Sequence, residues 1–337
     1  MRTFVLFVLC IALQPGCSKS TPSTDSQNPS ATVTQAAAIA PSAQPKAPAD
    51  EGPAADATDC RAPAAPRIVA IGDLHGDAKA AKRAFALAGA TDDKGKWIGG
   101  SLVVVQTGDV LDRGDEEREL LAFLDEEQAA AEKAGGHVYR LNGNHEIMNV
   151  QGDYRYVTER GFASYASEPA TGRPDAAEFP PNQRGRAEAL LPGGRVARVL
   201  SAFPAVRIVG ETVFAHGGVL PHHVRYGLDT MNREVSAWMR GEAALPKKLQ
   251  GDHTPFWVRD FGEHTDSDAC SKLDKVLSSL KVKRLVIGHT VQRGGITFAC
   301  DRRVARIDVG LSAYYGNNPT EVLEIKGDEM RILHRDR

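Results

Sequence analysis

The sequence has no excess of charge of either sign: Lys and Arg number 41 against 43 Asp and Glu, for a formal net charge of -2. Binding to a nucleic-acid backbone draws on concentrated positive charge that displaces condensed counterions, so nucleic acid is excluded as the expected partner. Nor does any apolar run reach the ~20 residues that a membrane-spanning helix needs; the run from Phe4 to Leu13 is too short. Cysteine is scarce, and no internal repeat is visible. Between Ser18 and Pro66 large apolar side chains are nearly absent, replaced by Ala, Pro, Ser and Thr. Such a composition cannot offset the entropy lost on ordering. Residues 18–66 are therefore expected to form a disordered tether that carries no chemistry.

What is present suffices for a globular enzyme. With 337 residues and 42% hydrophobic content, the chain can bury a full core, as one large domain with extensions or as two small ones. Arg2 followed by the Phe4 to Leu13 run reads as a signal peptide over residues 1–17. The stretch Gln14-Pro15-Gly16-Cys17 resembles the lipobox of bacterial lipoproteins, although Leu13 stands four places before the Cys where a Leu three places before is usual. The expected location is outside the cytoplasm, either the bacterial periplasm or a membrane reached through a lipid anchor on Cys17. Ordinary cleavage to a soluble product is the alternative. Beyond the signal segment remain Cys60, Cys270 and Cys300. In an oxidising compartment they allow one disulfide and one free thiol. Cys270 with Cys300 is the first pairing to consider, and three unpaired thiols the alternative.

From Arg67 onward, short runs rich in Val, Ile and Leu end abruptly in Gly, Asp, Asn or His: Ile68 to Ile71, Leu102 to Val105, Val138 to Leu141, Thr212 to Ala215 and Arg284 to Ile287. These are expected as buried strands. Between them Ala78, Ala81, Phe85 and Ala88, then Leu120, Phe123 and Leu124, then Leu273, Val276, Leu277 and Leu280 recur at helical spacing. Strands alternating with helices predict an α/β layered domain over residues 67–337, with ligand sites beyond the carboxyl ends of the strands. Residues 151–198 have weak periodicity, several Gly and Pro, and many Arg. They are expected to be an insertion over the site, or else a solvated excursion that never meets substrate.

The polar residues after those runs carry the chemistry. Asp73 and His75, two apart in Gly72-Asp73-Leu74-His75-Gly76, project to one side of a strand end and can reach one cation. Asp109, in Gly108-Asp109-Val110-Leu111-Asp112-Arg113-Gly114, has two oxygens with which to bridge two cations. Arg113 adds a planar fork of donors matching phosphate oxygens. In Gly143-Asn144-His145-Glu146 the Asn144 amide oxygen suits a metal, and His145 is free to handle a proton. His216 and His289 are ordinary imidazole ligands. Each histidine alone is more often structural, but packing alone does not set Asp, His, Asn and Arg directly after separate strand runs. His137, His222, His223, His253, His264 and His334 lack that context.

The series GDLHG, GDVLDRG, GNHE, HGG and GHT is similar to the calcineurin-like metallophosphoesterases in their phosphoprotein-phosphatase branch. VQTGDVLDRG, GNHEIMNVQGDYRYV, IGHTVQ and VGLSAYYG most resemble the Shewanella-like protein phosphatases. The resemblance implies two facing mixed β-sheets flanked by helices. It also implies two metal ions, Mn, Fe or Zn, one held by Asp73, His75 and Asp109 and the other by Asp109, Asn144, His216 and His289. It makes His145 the proton donor to the leaving group, Asp112 its orienting partner, Arg113 a phosphate clamp and Arg259 the candidate second phosphate-binding Arg. The Arg that commonly precedes GNHE in eukaryotic serine/threonine phosphatases is Asn142 here, with Arg140 two residues earlier. The expected activity is hydrolysis of a phosphorylated protein or a small phosphate ester. A nucleotidase or dinucleoside polyphosphate hydrolase is the alternative enzyme, and a lipid-anchored binding protein with a vestigial metal site the alternative outside enzymes.

Overall fold

A computed structural model describes residues 59–262, 265–316 and 318–334. The signal segment, most of the tether and His264 lie outside the described residues. Three short strands, β2 (Ile68–Ile71), β3 (Val103–Gln106) and β4 (His137–Arg140), run parallel side by side, the first two of them almost wholly apolar. Two further strands, β10 (Glu321–Lys326) and β11 (Glu329–His334), extend this sheet antiparallel, giving the order β11-β10-β2-β3-β4. A second mixed sheet contains β1 (Arg61–Ala62), β5 (Val206–Val209), β6 (Thr212–Ala215), β7 (Arg284–Ile287), β8 (Thr297–Ala299) and β9 (Val304–Arg306), in the order β1-β5-β6-β7-β9-β8. All four residues of β2, β3, β5, β6 and β7 are buried, as continuous apolar runs covered on both faces require. Ile71 and Val105 of one sheet share a single hydrophobic core with Phe214 and Ile287 of the other.

The helices form where the spacing predicts them. In α1 (Ala78–Leu87) the Asp77 carboxylate caps the first turn by accepting from the Ala80 amide at 2.8 Å, a contribution of about 1 kcal/mol. Its buried Phe85 meets Phe123 of α2 (Glu117–Lys133) edge to face, with ring centroids 5.1 Å apart. Asp266 likewise caps α10 (Ser267–Leu280), which buries Leu273, Val276, Leu277 and Leu280. At the sequence level, β3 and β4 each begin within one residue of the expected position.

The start of the domain departs from expectation. Residues 61 and 62 of the expected tether form β1, paired in parallel with β5, and the Cys60 amide donates to Asp229 at 2.7 Å. Strand addition to a sheet edge uses backbone groups, so a composition poor in apolar side chains gives no sign of it. Cys270 and Cys300 form a disulfide, and Cys60 is free and buried. Residues 151–198 contain three short helices, α4 (Glu159–Ala163), α5 (Pro174–Ala177) and α6 (Arg184–Leu190), and the first turn of a fourth, α7 (Arg195–Leu200). A small core of Tyr154, Ala176, Ala187 and Leu191 holds this segment together.

Candidate active site

Every strand that the sequence marks out delivers its polar residues to one place. Asp73 and His75 follow β2, Asp109 follows β3, and His216 and His289 follow β6 and β7. Asn144 and His145 follow β4 and open α3 (Asn144–Val150). His289 is half-buried and the other six are buried. The loops achieve this convergence at a conformational cost. His75, Asp109, Asp112, Arg113 and His289 all have positive φ, between 42° and 69°, a region that costs L-residues of order 1 kcal/mol or more each. Strain gathered at one spot is a mark of a functional site.

Asp109 is the hub. Its Oδ2 lies 3.2 Å from Nε2 of His216, 3.6 Å from Nε2 of His75 and 3.8 Å from Nε2 of His145. Two sets of donor atoms share it, His75 with Asp109 and His145, and Asp109 with His216 and His289, each set lying within 4.8 Å. His216 faces the Thr107 carbonyl through Nδ1 at 2.9 Å, and Nε2 stands 2.8 Å from Oδ1 of Asn144. With the proton on Nδ1, three lone pairs converge from His216, Asn144 and Asp109, and they require a positive charge among them, either a proton or a cation. Nε2 of His289 is buried without a hydrogen-bond partner. Imidazole nitrogen, carboxylate and amide oxygen form a donor set that fits transition-metal ions.

Burial depresses His75 to about 3 and His289 to about 2, which leaves both imidazoles neutral with a lone pair to offer. Burial pushes the Asp109 carboxyl up, but His216 and His145 together hold it well below the usual carboxylate range. Asp73 sits at the edge of this cluster. Its carboxylate accepts from the His289 amide at 3.1 Å, and burial, with Asp308 and Asp109 alongside, drives its pKa up. Asp308 is fully buried and was missed from sequence, since no metal-site motif surrounds it.

Beside the hub, Nδ1 of His145 lies 2.6 Å from Oδ2 of Asp112, and Nη2 of Arg113 donates to Nε2 of His145 at 3.2 Å. Although burial lowers the His145 pKa, the carboxylates of Asp109 and Asp112 outweigh it and raise the net value. Arg113 stands among three rings, with its guanidinium 4.9 Å from the Tyr156 centroid, 5.2 Å from Tyr314 and 5.4 Å from Tyr315. Arg259 is exposed near His289 and donates to the Thr290 hydroxyl at 3.3 Å. Asn142 and Arg140 serve elsewhere: Asn142 donates to the carbonyls of Leu200 and Phe203, and buried Arg140 pairs with Asp125 at 2.6 Å.

The reason for a glutamate after His145 is visible only in three dimensions. Glu146 accepts from the amides of Asp109, Val110, Leu111 and Gly143 at 2.7 to 3.0 Å. One buried carboxylate thus fixes the loop that carries the hub to the loop that carries His145. Gly143 permits their approach, because a Cβ there would stand 2.1 Å from Oδ1 of Asp109. A second buried set, Glu117, Asn149 and Arg186, surrounds Asp112. The sequence offers no local signal for it, since Arg186 and Glu117 are 69 residues apart.

Residues 66–293 match the family model described as calcineurin-like phosphoesterase. The chain belongs to that family. It is 40% identical over 303 residues to Shewanella-like protein phosphatase 2 of Arabidopsis thaliana, covering 79% of this chain and 77% of the relative. The solved cold-active protein-tyrosine phosphatase of a psychrophilic Shewanella species superposes with a TM-score of 0.66 at 22% identity, covering 83% of this chain and 85% of the other. A yeast protein serine/threonine phosphatase from Saccharomyces cerevisiae superposes at 0.55 with 13% identity, covering 83% and 84%. These two structures share the fold. The family carries a dimetal centre, and this calcineurin-like phosphoesterase is a metal-dependent phosphatase.

Proposed function

We propose that this phosphatase hydrolyses phosphate monoesters on proteins and favours phosphotyrosine. In this reading Asp73, His75 and Asp109 hold one cation, and Asp109, Asn144, His216 and His289 hold the other, drawn from Mn, Fe or Zn. Bound there, two such cations supply Lewis-acid polarisation of the phosphate and a nucleophilic water. Arg113 grips the equatorial oxygens through its planar fork, and Arg259 offers a second contact from beside Thr290. His145 gives a proton to the leaving oxygen, and Asp112 holds its ring from behind.

The observation that carries the substrate class is the aromatic rim around Arg113. Tyr156 is 40% and Tyr314 59% exposed, two of the three large hydrophobic residues that are exposed among the described residues. A phosphate gripped by Arg113 sets its ester group between those rings, where an aryl group gains offset or edge-to-face contact. The name of the Shewanella structure as a protein-tyrosine phosphatase agrees with this reading. The test is turnover by the full chain, with Mn, Fe or Zn added, on matched phosphotyrosyl and phosphoseryl peptides and on nucleotides. The highest kcat/KM on the phosphotyrosyl peptide is expected. A nucleotide preference would overturn the substrate class, and no turnover on any of them would favour a binding protein.

We also infer export. The apolar run and Cys17 support it from sequence, and the Cys270–Cys300 disulfide supports an oxidising compartment. Among the described residues no helix is long and apolar enough to cross a membrane. Fractionation of wild type and Cys17→Ala distinguishes a lipid anchor on Cys17 from a soluble periplasmic product.

A further inference from the structure

The side chain of Asp112 is held from two directions. Oδ2 faces Nδ1 of His145 at 2.6 Å, and Oδ1 accepts from Nδ2 of Asn149 at 2.9 Å and from Nη2 of Arg186 at 3.2 Å. Its backbone is held too, because the Asp112 amide donates to Oε1 of Glu117 at 2.6 Å. Arg186 ties these groups into one unit. Its Nη1 and Nη2 donate to the two oxygens of Glu117 at 2.6 and 3.0 Å, and its Nε donates to Oδ1 of Asn149 at 2.8 Å. Asn149 in turn donates to the His145 carbonyl at 2.8 Å.

Arg186 is 0% exposed. A buried ion pair is often no better for stability than a well-packed apolar replacement of similar volume, so the pairing with Glu117 alone gives little reason for an arginine here. The fork does something an apolar residue cannot. Four of the five N–H directions of a guanidinium are used, and they end on both sides of Asp112. The guanidinium is enclosed by Tyr165 and Tyr154, with centroids 5.2 and 5.9 Å away. Occupying Oδ1 leaves Oδ2 to the imidazole, which points Nε2 of His145 toward Arg113 and the Asp109 hub. The register of α6 is fixed as well, because a Cβ on Gly185 would meet the Tyr165 carbonyl oxygen at 2.0 Å.

We propose that Arg186, supplied by the segment 151–198, is a positioning residue for the Asp112–His145 pair, acting with Glu117 and Asn149. The inference rests on the reading of His145 as proton donor to the leaving group. It predicts that disturbing Arg186 harms esters of poor leaving groups more than esters of good ones, a bias that general loss of stability does not produce.

The experiment measures kcat of the metal-loaded full chain on a phosphoseryl peptide and on nitrophenyl phosphate, with metal content confirmed equal. Three variants probe the network. Arg186→Lys keeps charge and loses the fork. Arg186→Met with Glu117→Gln removes the buried pair together, so that no lone charge is left behind. Asn149→Ser touches the network without altering charge and stands in if the other two do not fold. Phosphoseryl turnover is expected to fall ~10- to 100-fold, the usual range for a group that orients a functional side chain, with a several-fold smaller loss on the nitrophenyl ester. In a His145→Asn background the same changes should add little further loss. Equal loss on both esters, or losses that multiply with His145→Asn, would give Arg186 a purely structural role. If His145→Asn shows the leaving-group bias and these variants do not, the inference alone falls. If His145→Asn itself shows no bias, the reading beneath it falls as well.

Discussion

A methyl group on Gly143 would stand 2.1 Å from Oδ1 of Asp109 and 2.6 Å from its amide nitrogen. The same Oδ1 accepts from the His145 amide at 3.0 Å, so the loops bearing the hub and the proposed acid are packed backbone to side chain. Gly143→Ala must therefore push the Asp109 carboxylate out of place. Overpacking of this kind costs about 1–3 kcal/mol of stability, and turnover should fall ~100-fold as metal binding weakens. Unchanged metal content and turnover in the purified variant would show that the loops can part without harm.

Asp109→Asn keeps an oxygen for the His145 amide and removes the charge that faces three imidazoles. The strand before it and the Glu146 clamp on its own amide remain, so the thermal midpoint should move little while bound metal and turnover collapse together. Metal analysis alongside kcat checks this. Two metals retained with near-normal turnover would deny Asp109 its bridging place.

Arg113 works among three tyrosine rings, where a flat guanidinium lies against aromatic faces and an ammonium does not. In the proposed role of phosphate clamp, Arg113→Lys should lose most of the kcat/KM that Arg113→Ala loses, ~10-fold or more, because a point charge lacks a two-pronged fork. Full recovery by Lys would mean that charge alone is needed there.

His223 predicts a pH dependence of stability. It lies in α8 (Pro221–Tyr226), where Nδ1 accepts from the Leu220 amide at 3.0 Å and Nε2 donates to the His253 carbonyl at 2.6 Å. That pattern admits only the neutral ring, and burial lowers its pKa to about 4. The unfolded chain binds this proton with the ordinary pKa near 6.5. Its contribution is therefore complete above ~6.5 and is lost as pH falls toward ~4, because between those values the unfolded state binds more protons. Urea midpoints for wild type should decline over that window more steeply than those of His223→Gln. Parallel curves would show that another group governs acid unfolding.

Much of the candidate site was legible because its polar residues follow directly on buried strands, and a buried strand announces itself as a run rich in Val and Ile. Ile68–Ile71 followed by Asp73 and His75 is such a case. The β10–β11 hairpin and the edge strand β1 were harder. Glu321–Lys326 and Glu329–His334 carry charged residues, and Arg61–Ala62 pairs by backbone alone. Arg186 was illegible for a different reason: its partners lie 37 to 74 residues away, and an arginine in an arginine-rich stretch reads as solvated surface. Glu146 stands inside the GNHE motif, yet three of its four amide partners, Asp109, Val110 and Leu111, belong to a second loop and meet it only in the folded chain.

Segment 151–198 is therefore less replaceable than its composition suggests. Each residue added within a helix turns those after it by about 100°. An insertion or deletion between Arg184 and Arg186 would swing the guanidinium away from Asp112, and Gly185 against Tyr165 leaves no room to slide back. Length variation should be tolerated in the exposed stretch around Thr171 and Gly172 and forbidden at the start of α6. A chimaera that swaps this segment between related phosphatases has to carry Arg186 and Glu117 across as a pair.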